Sequence, residues 1–171
     1  MKKFYVPFML IFILFGCSTK TTEPSNTEGL SLENQITNVM SENNLSNKEI
    51  IDYDIKDNFI YVIFENRQGD NSYPDLAILK NNNGKLVWEA GPDDRTQSIS
   101  DAMVFGRDEG STVTLLLPNQ ENIKSIKVLG EYAKAVTYVE EVTDDFYMKH
   151  MYWIAYTNEE PTHEDIEIIM E

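Results

Sequence analysis

Ile51-Asp52-Tyr53-Asp54-Ile55-Lys56-Asp57-Asn58-Phe59-Ile60-Tyr61-Val62-Ile63-Phe64 decides the fold class. Apolar Ile51, Tyr53 and Ile55 alternate with Asp52, Asp54 and Lys56, the period-two pattern of a half-buried strand with its apolar residues inward. Lys56-Asp57-Asn58 then turns the chain. Phe59 to Phe64 is apolar on both faces, so it belongs in the middle of a sheet, because on an edge it would invite aggregation. Two strands of these kinds, joined by a short turn, predict an antiparallel sheet.

Toward the C-terminus the same signals repeat. Asn66 to Pro74 reads as a polar loop. Leu76 to Lys80 and Lys85 to Ala90 flank Asn81-Asn82-Asn83-Gly84, a hairpin signal because Asn and Gly tolerate positive φ. Ile99 to Gly106 and Thr112 to Leu117 flank Asp108-Glu109-Gly110 and predict a second hairpin. Ile123 to Leu129, Ala133 to Val142, Phe146 to Thr157 and Ile166 to Met170 complete about nine short strands with no helix between them. The expected fold is mainly β, an antiparallel β-sandwich or barrel-like domain. No repeat of constant period points to a propeller or solenoid.

The last third also carries a resemblance. Asn122-Ile123-Lys124-Ser125-Ile126-Lys127-Val128-Leu129-Gly130, then Ala133 and Ala135, then Tyr152-Trp153-Ile154-Ala155 looks like the C-terminal part of small β-rich envelope lipoproteins of low-GC Gram-positive bacteria. That resemblance implies a β-rich envelope domain and assigns no functional residue.

Upstream, Ser31 to Asn44 is the one helix candidate. Leu32, Ile36, Val39 and Met40 fall at helical spacing, Ser31 suits the N-cap, and Glu33 sits where the helix dipole favours an acid. The stripe is narrow, so the helix should lie against a sheet. Ser18 to Gly29, STKTTEPSNTEG, has no large apolar residue with which to order itself and predicts a flexible tether reaching roughly 20 Å.

Met1-Lys2-Lys3 followed by the apolar run Phe4 to Phe15 has the layout of a signal peptide, too short for a membrane-spanning helix. Leu14-Phe15-Gly16-Cys17 resembles the lipobox of bacterial lipoproteins, although Phe15 is bulkier than the residue usual there. The resemblance implies cleavage between Gly16 and Cys17, a thioether from Cys17 to diacylglycerol, and acylation of the new amino terminus by palmitate-like chains. Two or three chains anchor stably where one holds only marginally. Cys17 is the only cysteine, so no intramolecular disulfide competes for it. The expected organisation is a signal peptide over 1–16, a lipidated cysteine and tether over 17–30, and a globular part over 31–171 with its helix at 31–44. The expected location is the extracytoplasmic face of the cell membrane.

The formal net charge is −15. Such a chain repels other anions, so nucleic acid is excluded as a partner, since binding it needs clustered Lys and Arg. No catalytic constellation emerges. The two histidines, His150 and His163, stand far apart with no zinc-site spacing. No nucleophile elbow or phosphate loop occurs. Ser111 reads as turn chemistry, and the acidic pairs Asp93-Asp94, Asp108-Glu109, Glu140-Glu141, Asp144-Asp145 and Glu159-Glu160 as solvated turns. No metal site and no cofactor are expected. Tyr147, Tyr152, Trp153 and Tyr156 crowd one strand, with Tyr152 and Tyr156 on one face and Tyr147 and Trp153 on the other. The alternation leaves open whether either face is core or a binding platform. The expectation is a membrane-anchored, non-enzymatic module that binds an envelope protein or cell-wall component. The alternatives are a carboxylate-dependent cell-wall hydrolase and a small-ligand or cation-binding lipoprotein.

Overall fold

The computed structural model describes residues 30–171 apart from 70, 100 and 144. The expected leader, Cys17 and most of the tether lie outside the described residues.

One helix, α1 (Leu32–Glu42), is followed by strands only, apart from two single-turn 3-10 helices. Ser31 caps α1 by accepting from the Asn34 backbone N–H at 3.3 Å. The first sheet has the order β1 (Ile50–Lys56), β2 (Phe59–Gln68), β3 (Asn71–Asn82), β4 (Lys85–Ala90). The second sheet contains β5 (Gln97–Ile99), β6 (Ala102–Phe105), β7 (Thr112–Leu116), β10 (Lys134–Thr143) and β11 (Phe146–Thr157). Its order is β10-β11-β7-β6-β5. The third sheet has the order β12 (Ile166–Met170), β8 (Ile123–Val128), β9 (Glu131–Tyr132). Every pairing is antiparallel. The sheets are open and layered, so the architecture is of the sandwich type and is not a closed barrel.

Three apolar clusters hold the layers together. Ile36 and Met40 of α1 pack with Ile60, Val62, Phe64 and Leu79 on the outer face of the first sheet. Tyr61, Ile63, Leu76 and Ile78 on its inner face meet Phe105, Leu115, Tyr152 and Ile154 of the second sheet. Trp153, Ala155 and Leu116 on the far face of the second sheet meet Ile126 and Val128 of the third. The order is therefore helix, sheet, sheet, sheet. β2 is apolar on both faces because it is covered on both, as its sequence requires. The Asn81–Gly84 turn forms as expected, with Asn83 at φ 54° and Gly84 at φ 91°.

Two expectations are corrected. Asn66 to Pro74 is largely a hairpin, β2 pairing with β3 out to Arg67 and Ser72. Ladder hydrogen bonds need only backbone, and the polar side chains there bond across the pair. In β1, Tyr53 packs on the helix side and Ile55 is exposed, whereas Asp52 and Asp54 turn toward the second sheet. A bulge between Ile50 and Asp52 adds a residue and resets which face the later side chains occupy.

Candidate interaction surface

β7 pairs with β11 only from Trp153 to Thr157, whereas β10 pairs with β11 along nearly its whole length. Among the described residues, β11 from Phe146 to Tyr152 therefore has β10 on one side and no paired strand on the other. This part of the molecule is a two-stranded arm. Its sequence keeps large apolar residues, interleaved with Glu140, Glu141, Lys149 and His150, beyond the point where β7 ends. Val139, Val142, Phe146, Tyr147, Met148 and Met151 are all exposed, Val139 at 61% and Tyr147 at 56%. The other large apolar side chains exposed among the described residues are Leu30, Ile55, Leu129, Tyr132 and Met170, none of them in the arm.

The aromatic strand is core at its C-terminal end and exposed at its N-terminal end. Tyr152 faces the first sheet and Trp153 the third, and both are buried. Tyr156 is half-buried against the first cluster. Tyr147, on the Trp153 face, is exposed. The boundary between core and surface falls at Met151–Tyr152.

Charged side chains pin the arm to the first sheet. Arg67 Nε stands 2.9 Å from Glu65 Oε2, and its Nη2 stands 3.6 Å from Glu140 Oε1. His150 Nε2 lies 2.8 Å from Glu140 Oε2 and stacks on the Tyr138 ring. Ser72 Oγ donates to Glu65 at 2.6 Å. Burial alone would raise the Glu65 carboxyl, but the hydrogen bonds from Arg67 and Ser72 and the Arg67 charge outweigh it and hold the group below its ordinary value. Burial raises the Tyr138 phenol. At the other end of β10, Lys134 Nζ donates to Asp52 at 2.8 Å and to Asp54 at 2.7 Å. Desolvation would lower Lys134, yet those two aspartates raise it on balance. Tyr156 donates to Asp54 at 2.8 Å, and burial followed by that bond pushes its phenol well up.

Asp75 is fully buried and accepts from Arg95 at 2.6 Å, from Asn66 at 2.9 Å and from the Leu76 backbone at 2.9 Å. The carboxylate is satisfied, whereas Arg95 Nε is buried with no hydrogen-bond partner among the described residues. Sequence reading missed the Asp75–Arg95 pair, although a carboxylate directly before Leu76-Ala77-Ile78-Leu79 was a signal that it would need a partner.

Comparison with protein-family models, curated proteins and solved structures finds no match to this chain.

The remaining candidates scatter. His163 opens a single-turn helix at the mouth of a 290 Å³ hollow between the second and third sheets, over Ala102, Leu116, Ile166 and Ile168. Glu109 and Glu160 belong to a more open 570 Å³ hollow that also contains Arg107. Within it Arg107 pairs with Glu89, Glu109 with Lys80, and Glu160 accepts from Gln97. Asp94 accepts from the Gly91 backbone, and the Ser111 backbone N–H donates to Tyr61. Among the described residues no group of three or more His, Asp or Glu is placed to hold a metal, and no helix is long and apolar enough to cross a membrane.

Proposed function

We propose that this chain is a lipid-anchored extracytoplasmic lipoprotein whose β domain is a non-catalytic binding module, with the β10–β11 arm as its contact surface for an envelope protein. The observation that carries the reading is the arm itself, six large apolar residues exposed on a two-stranded extension. Solvent exposure of that much apolar surface costs solubility unless something covers it. The lipobox-like Leu14-Phe15-Gly16-Cys17 supports the anchor, and cleavage before Cys17 would leave the thiol to be lipidated.

Mass spectrometry of membrane-derived protein should show a diacylglyceryl adduct on Cys17, and Cys17→Ala should remove the protein from the membrane or leave it uncut. Photo-crosslinkers placed at Tyr147 and Met151 in living cells should yield discrete adducts, and one at exposed Lys85 on the opposite side of the sheet order should not. An unmodified Cys17, or crosslinking that does not depend on position, would overturn the reading.

A further inference from the structure

The second sheet is wider than the third sheet that covers its far face, five strands against three. β12 is an edge of the third sheet, and there the two layers part over the 290 Å³ hollow. Register explains its floor. Ile99 pairs with Ala102, and Ala102 with Leu116, so the three side chains share one face as a row across β5, β6 and β7. Ala102 is the small member between two large ones, and the volume it lacks is a dent in the row. Ile166 and Ile168 stand two residues apart on β12, so they face the same way and form the opposing wall.

The rim has the opposite character. Asp101, Gln120 and His163 line it and all three are exposed, whereas no Lys or Arg lines the hollow. Among the described residues the side-chain partner of Asp101 is Asn119 Nδ2 at 3.5 Å, the long limit of a hydrogen bond. An apolar floor with a few polar groups converging at its mouth is how small-molecule sites are built.

We infer that this hollow binds a compact apolar primary amine, with its hydrocarbon body over Ala102 and its ammonium group at Asp101. Volume sets the size. A cavity of about 150 Å³ holds a benzene, so 290 Å³ takes a ring with a short arm. Charge sets the head group. An ammonium has three N–H donors and no acceptor, and Asp101, Gln120 and a neutral His163 each offer an acceptor. The only charged group on the rim at neutral His163 is a carboxylate, and the chain's net charge of −15 draws cations and repels carboxylates and phosphates. A neutral ligand of the same shape would bury the same hydrocarbon and leave Asp101 unused. The hollow lies at the β5–β6 end of the second sheet and the arm at its β10–β11 end, so this site does not depend on the arm's being a contact surface.

The test is methyl NMR on the full chain in phosphatidylcholine nanodiscs, titrated with phenethylamine, phenethyl alcohol, hydrocinnamate and ethylamine. Phenethylamine should shift the methyls of Leu116, Ile166 and Ile168 and leave those of Val62 and Leu79 in place. Because Asp101 is exposed and its charge screened, phenethylamine should bind about threefold more tightly than the alcohol and about tenfold more tightly than hydrocinnamate, whose carboxylate is repelled. Ethylamine, which has the charge without the body, should shift nothing at the same concentration. Ala102→Leu fills the dent and should abolish binding. Asp101→Lys lies on the exposed rim and leaves the core intact, and it should reverse the order, so that hydrocinnamate binds more tightly than phenethylamine. The inference is overturned if phenethylamine shifts none of the three methyls at millimolar concentration or if ethylamine shifts them equally. It is overturned as well if the alcohol binds as tightly as the amine, or if Asp101→Lys leaves the order unchanged.

Discussion

The two halves of β11 share one strand and both are rich in aromatic residues, yet they end in opposite environments. Tyr152-Trp153-Ile154-Ala155 lies between two sheets with no residue more than 6% exposed. Phe146-Tyr147-Met148 lies at 43% or more. The exposed half also carries Lys149 and His150, which the buried half lacks. What differs as well is the number of layers overhead. The first and third sheets cover the C-terminal half, and β7 pairs with it from below. An apolar strand segment is therefore a core only where other elements reach it. Where they do not, the same chemistry is left exposed.

The comparison breaks most visibly by truncation. Trp153→Ala should cost about 3–5 kcal/mol, the usual cost of removing a large buried aromatic, while Met151→Ala two residues away should stay within about 0.5 kcal/mol. Urea denaturation of both variants measures this, and equal losses would mean that the arm is packed.

Much of the fold was legible because it depends on local chemistry. Ser31 and the Leu32–Met40 stripe produce α1, Asn83-Gly84 produces its turn, and the doubly apolar Phe59–Phe64 sits in a sheet interior. What was not legible depends on tertiary neighbours. The bulge that turns Asp52 and Asp54 toward Lys134 leaves no mark in the alternation. The Asn66–Pro74 hairpin has polar side chains and was hidden by them. Of the interaction surface, the sequence showed the aromatic crowding at Tyr147–Tyr156 but not the point where the covering layers stop. That point coincides with where β7 ends, at Leu116, far earlier in the chain.

Charges sharpen the same contrast between covered and uncovered places. Arg95→Met leaves Asp75 fully buried without its ion partner and should cost about 3 kcal/mol, the lower end for a broken buried pair because Arg95 itself is partly exposed. Asp75→Leu with Arg95→Met should recover most of that loss. At the end of β10 away from the arm, Lys134→Met should cost no more than about 1 kcal/mol, since that pair is partly open to solvent and screened. A salt titration separates the two, the second effect fading at high ionic strength and the first persisting.

The pH profile addresses the junction beneath the arm. Glu65 faces Arg67 and Ser72, with Glu140, His150 and Tyr138 close by. Its folded-state value lies below the unfolded one. Its contribution is therefore fully present above the ordinary carboxylate range and is lost as pH falls through the lowered folded value. Glu65→Gln should flatten the acid limb of a stability-against-pH curve and leave its neutral part nearly parallel to wild type. Glu33, Glu109 and Asp165 are lowered too, so the limb should shrink rather than vanish.

The smallest expected change in stability is also the most telling about function. Tyr147→Ser together with Met151→Ser removes two exposed side chains from one face of the arm without opening a cavity or orphaning a buried polar group. None of the mechanisms behind large losses applies, so the double variant should unfold within about 0.5 kcal/mol of wild type. Binding should respond in the opposite sense, because apolar anchors dominate contact energies. Loss of partner crosslinks at unchanged stability would separate surface from core within a single strand. A marked drop in stability would show that the arm is held by packing, and its exposed face would then need no partner to explain it.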